Sequence, residues 1–142
     1  MKVAVIAGGK SDQQFVDSAV EILKEFGVDH DAKIISSHRK PNELVKYVKE
    51  SDADVFIAIA GLAAHLPGSI AAQTIKPVIG VPVAVKLMGL DALLSIVQMP
   101  SGIPVATVGV DNAKNAAMLA VEILSIKDDN LKEKLKEYRK KF

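Results

Sequence analysis

Three short stretches hold most of the side chains able to do chemistry: Gly8-Gly9-Lys10-Ser11-Asp12, Ser36-Ser37-His38-Arg39-Lys40-Pro41 and Gly61-Leu62-Ala63-Ala64-His65-Leu66-Pro67-Gly68. The second sets two hydroxyls, an imidazole and a guanidinium on consecutive residues. A guanidinium binds phosphate through a planar fork of donors. An imidazole titrates near neutrality and can move protons. A solvated loop explains any one of these residues, but four in a row beside a glycine-rich turn favour a site. In the first stretch, two glycines and a serine precede a helix start, where free backbone N–H groups suit a phosphate. A tight strand-to-helix turn accounts for the same glycines, and Asp12 reads equally as a favourable charge in a first helical turn. The pattern is neither a Walker loop nor G-x-G-x-x-G. The third stretch places one imidazole, His65, among glycine, alanine, leucine and proline. A buried histidine bonded to backbone is its ordinary explanation. The small neighbours also leave room for something to approach. His30 has no such company and reads as surface.

The elements that must carry these loops alternate along the chain. Lys2–Ala7 reads as a buried strand ended by two glycines. Ser11, with Gln14 three residues on, predicts a capping box. The helix that follows turns Phe15, Ala19, Ile22, Leu23 and Phe26 inward and stops at Gly27. Asp31–Ser36 is the second expected strand, and Pro41 opens a helix with Leu44, Val45 and Val48 inward. Further strands are expected at Val55–Ala60, Val78–Val81 and Val105–Val108. Helices are expected at Leu66–Thr74, Leu90–Val97, Asn112–Leu124 and, as an extra terminal element, Asp128–Lys140. Strands apolar on both faces and alternating with helices indicate a parallel sheet covered on both sides. Five of them predict a flavodoxin-like three-layer α/β sandwich of order 2-1-3-4-5, whose ligands bind beyond the carboxyl ends of the strands at the switch point. In that order the three loops stand side by side.

Composition narrows the class. The 142 residues predict a single domain, 1–142. A net charge of +1 gives no reason to expect nucleic acid or membrane partners. The absence of cysteine excludes disulfides and thiolate metal sites. Aromatic residues are 4%, with no tryptophan, too few for base-stacking platforms. The apolar run Val55–Ala64 falls well short of the ~20 residues a membrane span needs, and the first residues read as a strand and not a signal peptide. A cytoplasmic location is the expectation. Ala58–Val85 is apolar almost without interruption, helix included. An oligomer with the Leu66–Thr74 helix inside it is therefore expected, as is docking of the striped terminal helix (Leu131, Leu135, Tyr138) on a neighbour.

Taken together, the loops resemble those of the PurE family of purine biosynthesis, which comprises 5-aminoimidazole ribonucleotide carboxylases and carboxyaminoimidazole ribonucleotide mutases. The family's G-S-K-S-D, S-A-H-R-T-P and G-G-A-A-H-L-P-G answer to Gly8–Asp12, Ser36–Pro41 and Gly61–Gly68, and S-I-V-Q-M-P and G-I-P-V stand intact at Ser95–Pro100 and Gly102–Val105. The resemblance covers the whole chain and implies a homo-octamer that needs no metal and no organic cofactor. It implies a ribonucleotide whose 5′-phosphate sits on the amides of Gly8 and Gly9 and on Ser11, Ser36 and Arg39, with the ribose hydroxyls on Asp12. It implies His38 as the general acid–base for the proton on ring carbon four. His65, with the Gly61 and Leu66 backbone, would line the pocket of the migrating carboxylate or carbon dioxide. A mutase also implies a functional link to an ATP-dependent synthase that makes its unstable substrate.

The alanines and histidine of Gly61–Gly68 resemble the mutase class. The class that takes carbon dioxide directly carries G-R-S-N and lacks the histidine. Direct carboxylation stands as the alternative, since two of three departures from the family pattern, Leu62 and the shortened Gly80–Leu94, fall near the carboxyl pocket, the third, Gly9, being at the phosphate site. Gly9 replaces a serine, Leu62 replaces a glycine, and Gly80–Leu94 is one residue shorter, with Lys86-Leu87-Met88 in place of small and serine residues, as in the short archaeal branch. A flavin binder lacks support, having neither a Thr/Ser-rich phosphate loop nor flanking aromatics. A receiver module would need an aspartate ending its third strand, where this chain has Ala60-Gly61. A ribonucleotide-binding sensor without catalysis is the non-enzymatic alternative.

Overall fold

Valine and isoleucine at Lys2–Ala7 form the central strand β1, and the computed structural model, which describes residues 1–142, builds the sheet outward from it. The strands β1 (Lys2–Ala7), β2 (Asp29–Ile34), β3 (Val55–Gly61), β4 (Val78–Val83) and β5 (Ala106–Thr107) pair in parallel in the order β2-β1-β3-β4-β5. The flavodoxin-like expectation holds. Helices α1 (Gln13–Phe26), α2 (Pro41–Glu50), α3 (Leu66–Ala71), α4 (Leu90–Val97), α5 (Ala113–Ser125) and α6 (Asp129–Arg139) cover the two faces.

The pleat divides the core. Val3, Val5 and Ala7 point with Val55, Ile57 and Ile59 toward α1, α5 and α6, while Ala4, Ile6, Phe56 and Ala58 point toward α2, α3 and α4. Both layers are apolar because nearly every residue of the inner strands β1, β3 and β4 is buried on one face or the other. Gly80 lets α3 and α4 close on β4, since a Cβ there would lie 2.4 Å from Ile96 Cγ2 and 3.3 Å from Pro67. No helix is long and apolar enough to cross a membrane.

Several expectations shift. β2 lies two residues earlier than expected, at Asp29–Ile34. It is an edge strand whose polar, half-exposed residues hide the apolar signal, and Ile35 and Ser36 already belong to the loop. β4 runs on to Val83, β5 shortens to two residues, and α3 stops at Ala71. Ser11 does not cap α1. Lys10–Asp12 is a 3₁₀ turn, and the Ser11 hydroxyl donates to Asp12 Oδ1 at 3.3 Å.

Two expectations about exposed apolar faces are corrected. The terminal helix packs on its own chain: Leu131 and Leu135 enter the core beside α1 and α5, and the Tyr138 ring stands 5.3 Å from that of Phe26. Leu66, Pro67, Ile70 and Ala71 of α3 are likewise buried within the chain. Apolar side chains left facing water cluster after β4 instead, at Val85, Leu87, Met88, Leu90, Leu94 and Val97, with others such as Leu62, Ile75, Ile126 and Phe142 exposed elsewhere.

Candidate active site

The sheet places the ends of β1, β2 and β3 next to one another, and each loop leaves its strand tied to the next. Gly8 N–H donates to the Ile59 carbonyl at 3.1 Å, so the first loop stays bound to β3 after β1 has ended. The turn that follows closes through Asp12 N–H to the Gly9 carbonyl at 3.1 Å. It drives Asp12 inward to 7% exposure, which makes it the buried acidic residue of the chain. Burial pushes its carboxyl above the ordinary carboxylate range, partly offset by hydrogen bonds from Ser11 and the Gly9 backbone. At Gly9 an added Cβ would stand 3.5 Å from Ser11 Oγ and 3.6 Å from Arg39 Nη2, an ordinary contact, so the glycine is not a steric demand.

The second loop begins where Ile35 N–H reaches the Ala7 carbonyl at 2.9 Å. Its turn is held by Ser36: the carbonyl accepts from Lys40 N–H at 2.9 Å and Oγ accepts from Arg39 N–H at 3.2 Å. The Ser36 hydroxyl proton therefore remains available to donate. Arg39 extends Nη2 to the Gly8 carbonyl at 3.2 Å, joining the second loop to the first. It has no carboxylate partner within the chain.

The third loop is the strained one. Leu62 and Ala64 hold φ of 54° and 31°, in the left-handed region that costs non-glycine residues energy. Leu62 thus occupies a conformation that a glycine takes freely. Gly61 is required by packing, since a Cβ there would stand 2.6 Å from Val85 Cγ2 and 3.2 Å from the Val83 carbonyl. Ala64 N–H closes the turn on the Gly61 carbonyl at 3.0 Å, and the His65 carbonyl accepts from Ser69 N–H at 3.0 Å as α3 begins. His65 is not a satisfied core histidine: the residue is exposed, and its ring lies nearly parallel to that of His38, 12° between planes and 5.1 Å between centroids.

Every residue singled out from the sequence lines one cleft of about 490 Å³: Gly8, Gly9, Ser11, Asp12, Ser36, His38, Arg39, Gly61, His65 and Leu66. A larger cavity of about 630 Å³ between α5 and the C-terminus, lined by Met118, Tyr138 and Phe142 among others, contains none of them. His30 sits on the edge strand with Nδ1 3.0 Å from the Val28 carbonyl, away from the cleft. Ser37, singled out as one of the two hydroxyls of the second loop but given no role, also lines it, as does Val85, which sequence reasoning missed. Val85 carried a usable signal, because it follows the strand that pairs with β3. The cleft thus brings donors and a guanidinium from the first two loops together with alanine and leucine from the third, and the imidazoles of the second and third loops stack on each other. Such a site can hold a phosphorylated, hydroxylated ligand at one end and transfer protons beside an apolar recess at the other.

The family model for AIR carboxylase matches residues 2–142. The N5-carboxyaminoimidazole ribonucleotide mutase of Methanocaldococcus jannaschii is 60% identical, over 99% of this chain and 89% of its own. That of Saccharolobus solfataricus is 55% identical, over 96% of this chain and 89% of its own. Among solved structures, Treponema denticola PurE superposes with a TM-score of 0.90 at 30% identity, over 99% of this chain and 90% of that one.

Proposed function

The chain belongs to the AIR carboxylase family, and we propose that it is an N5-carboxyaminoimidazole ribonucleotide mutase of purine biosynthesis, moving a carboxyl group from nitrogen to ring carbon four. The observation that carries the reading is His65 in the alanine-lined loop, stacked on His38 within the cleft. The carboxylase-class motif has no histidine at that position.

The substrate's 5′-phosphate sits on the Gly9 amide, the Ser36 hydroxyl and the Arg39 guanidinium; the Gly8 amide expected to share it is committed to the Ile59 carbonyl, and Gly8 serves the site through its carbonyl, which holds Arg39 Nη2. Ser11 turns its hydroxyl from Asp12 to the phosphate. The Asp12 carboxyl accepts from the ribose hydroxyls. The N–carboxyl bond breaks as the nitrogen gains a proton, and carbon dioxide is released within the cleft. Ring carbon four, made electron-rich by the amino group, attacks it and forms the new C–C bond. The proton on that carbon then leaves to a base. One proton is taken up on nitrogen and one released from carbon, so His38 can give first and take back second with no net change. Carbon dioxide is small and apolar. A recess of Ala63, Ala64, Leu66 and Val85 retains it, while His65 bonds the carboxylate before and after.

The apolar Leu87, Met88, Leu90, Leu94 and Val97 on and beside α4 support assembly into a homo-octamer. A mutase also needs an ATP-dependent synthase in the cytoplasm to supply its substrate. Isotope tracing tests the reaction. The carboxyamino substrate, labelled in its carboxyl, is supplied with unlabelled bicarbonate. Label retained in the product supports internal transfer. Complete early washout points to direct carboxylation, and binding without turnover points to a sensor.

A further inference from the structure

The loop from β4 to α4, Ala84–Gly89, supplies Val85 to the cleft, yet it is weakly held by its own bonds. Val85 N–H reaches back only to the Val83 carbonyl at 3.0 Å, and Gly89 N–H to the Lys86 carbonyl at 2.8 Å. Leu87 and Met88 take φ of 47° and 54° and are largely exposed. Its fixed point comes from the turn between β5 and α5. Asp111 accepts Ala84 N–H on Oδ1 at 2.9 Å and donates its own N–H to the Pro82 carbonyl at 2.8 Å. It thus brackets the last residue of β4, with one bond before it and one after. Asp111 holds φ of 60°, a conformation that glycine adopts freely and aspartate or asparagine at some cost. The carboxylate makes the second of the two bonds, and a glycine would not.

We infer that Asp111 is a positioning residue for the carboxyl end of the cleft: by fixing Ala84 it keeps Val85 packed over Gly61 and closes the recess that retains carbon dioxide. Val85 is placed for this, since its Cγ2 occupies the space a Gly61 side chain would take, 2.6 Å from the would-be Cβ. The inference rests on the mutase reading for its consequence, but its structural half stands apart from turnover.

The test compares Asp111→Gly, which suits the backbone angle and loses the acceptor, with Asp111→Asn, which keeps both the acceptor and a tolerated angle. Val85→Ala removes the wall without touching the clamp. Amide hydrogen exchange is read at Ala84 and Val85, and label retention is read in the isotope assay above. Asp111→Gly should speed exchange of the Ala84 amide by about tenfold or more, the order expected when a bond to a charged acceptor is lost. It should also lower label retention several-fold relative to turnover. Asp111→Asn should stay within about twofold of wild type on both readouts, since an amide oxygen still accepts the bond. Val85→Ala should leak label while leaving Ala84 exchange unchanged. Unchanged Ala84 exchange in Asp111→Gly would overturn the inference, as would full label retention in Val85→Ala or an Asp111→Asn protein as leaky as Asp111→Gly. Wild-type protein that turns nothing over would sink the mutase reading instead, and the exchange comparison would still decide the clamp.

Discussion

Gly61→Ala isolates the role of the third loop, and its size follows from three glycines compared under one substitution. An added methyl at Gly61 meets Val85 Cγ2 at 2.6 Å and the Val83 carbonyl at 3.2 Å. Val85 is half exposed and can swing outward, but the carbonyl belongs to β4 and cannot. At Gly80 the methyl meets Ile96 Cγ2 at 2.4 Å, and Ile96 is fully buried. At Gly8 the nearest contact is the Ile59 carbonyl at 4.0 Å, which is no clash. Overpacking costs about 1–3 kcal/mol, while exchanging glycine for alanine where φ permits returns roughly 0.4–1 kcal/mol through the unfolded chain. Gly80→Ala should therefore lose about 2 kcal/mol or more, Gly61→Ala about 0.5–2 kcal/mol, and Gly8→Ala should lose nothing or gain slightly. For a chain of this size each kcal/mol moves Tm by roughly 3–4 °C, so thermal unfolding resolves the order. Function should break that order. Gly61→Ala pushes Val85 off the recess and should lose label retention well below its Tm, whereas Gly80→Ala should retain label when folded. Equal Tm for Gly61→Ala and Gly8→Ala, or full label retention in Gly61→Ala, would refute the packing argument.

Three further outcomes are expected. His38→Asn should slow turnover by ~10²–10⁴-fold with ribonucleotide binding nearly intact; calorimetry and steady-state rates check it, and a loss under tenfold would remove the acid–base role. Arg39→Ala should act mainly on binding, by roughly 1.5–3 kcal/mol for a charge-assisted contact to phosphate, and an unchanged Kd would place the guanidinium outside the phosphate site. Asp12 sets a pH signature. Burial raises its carboxyl above the ordinary range, so the folded chain holds that proton more tightly than the unfolded one. Its favourable contribution is complete below the ordinary carboxylate range and disappears as pH rises through the raised value. Asp12→Asn should thus raise Tm at neutral pH and converge with wild type in acid, while weakening ribonucleotide binding; a Tm difference that persists undiminished at low pH would contradict the sign.

Local order in this chain determined a great deal by itself. Apolar runs broken at glycine place β1 and β3 at or within a residue of their ends, because buried strands leave few polar residues to blur the pattern, and the run between Gly89 and Pro100 likewise places α4. Gly8–Asp12, Ser36–Pro41 and Gly61–Gly68 announce themselves by residue type, and a parallel sheet must bring its carboxyl ends together. What was not legible depends on partners distant in the chain. β2 reads two residues out of place because an edge strand is half exposed and carries no clean period. Ser11 reads as a cap until the turn closes on the Gly9 carbonyl and sends Asp12 inward instead. The terminal stripe of Leu131 and Leu135 reads as a surface for another molecule, yet α1 and α5 are there to receive it. The near-parallel meeting of His38 and His65, the packing of Val85 over Gly61, and the bond from Ala84 to Asp111 join residues 24 to 27 positions apart. Periodicity and propensity act over a few residues, while these contacts are set by strand order and by how far each loop runs past its strand. Only the assembled sheet specifies both.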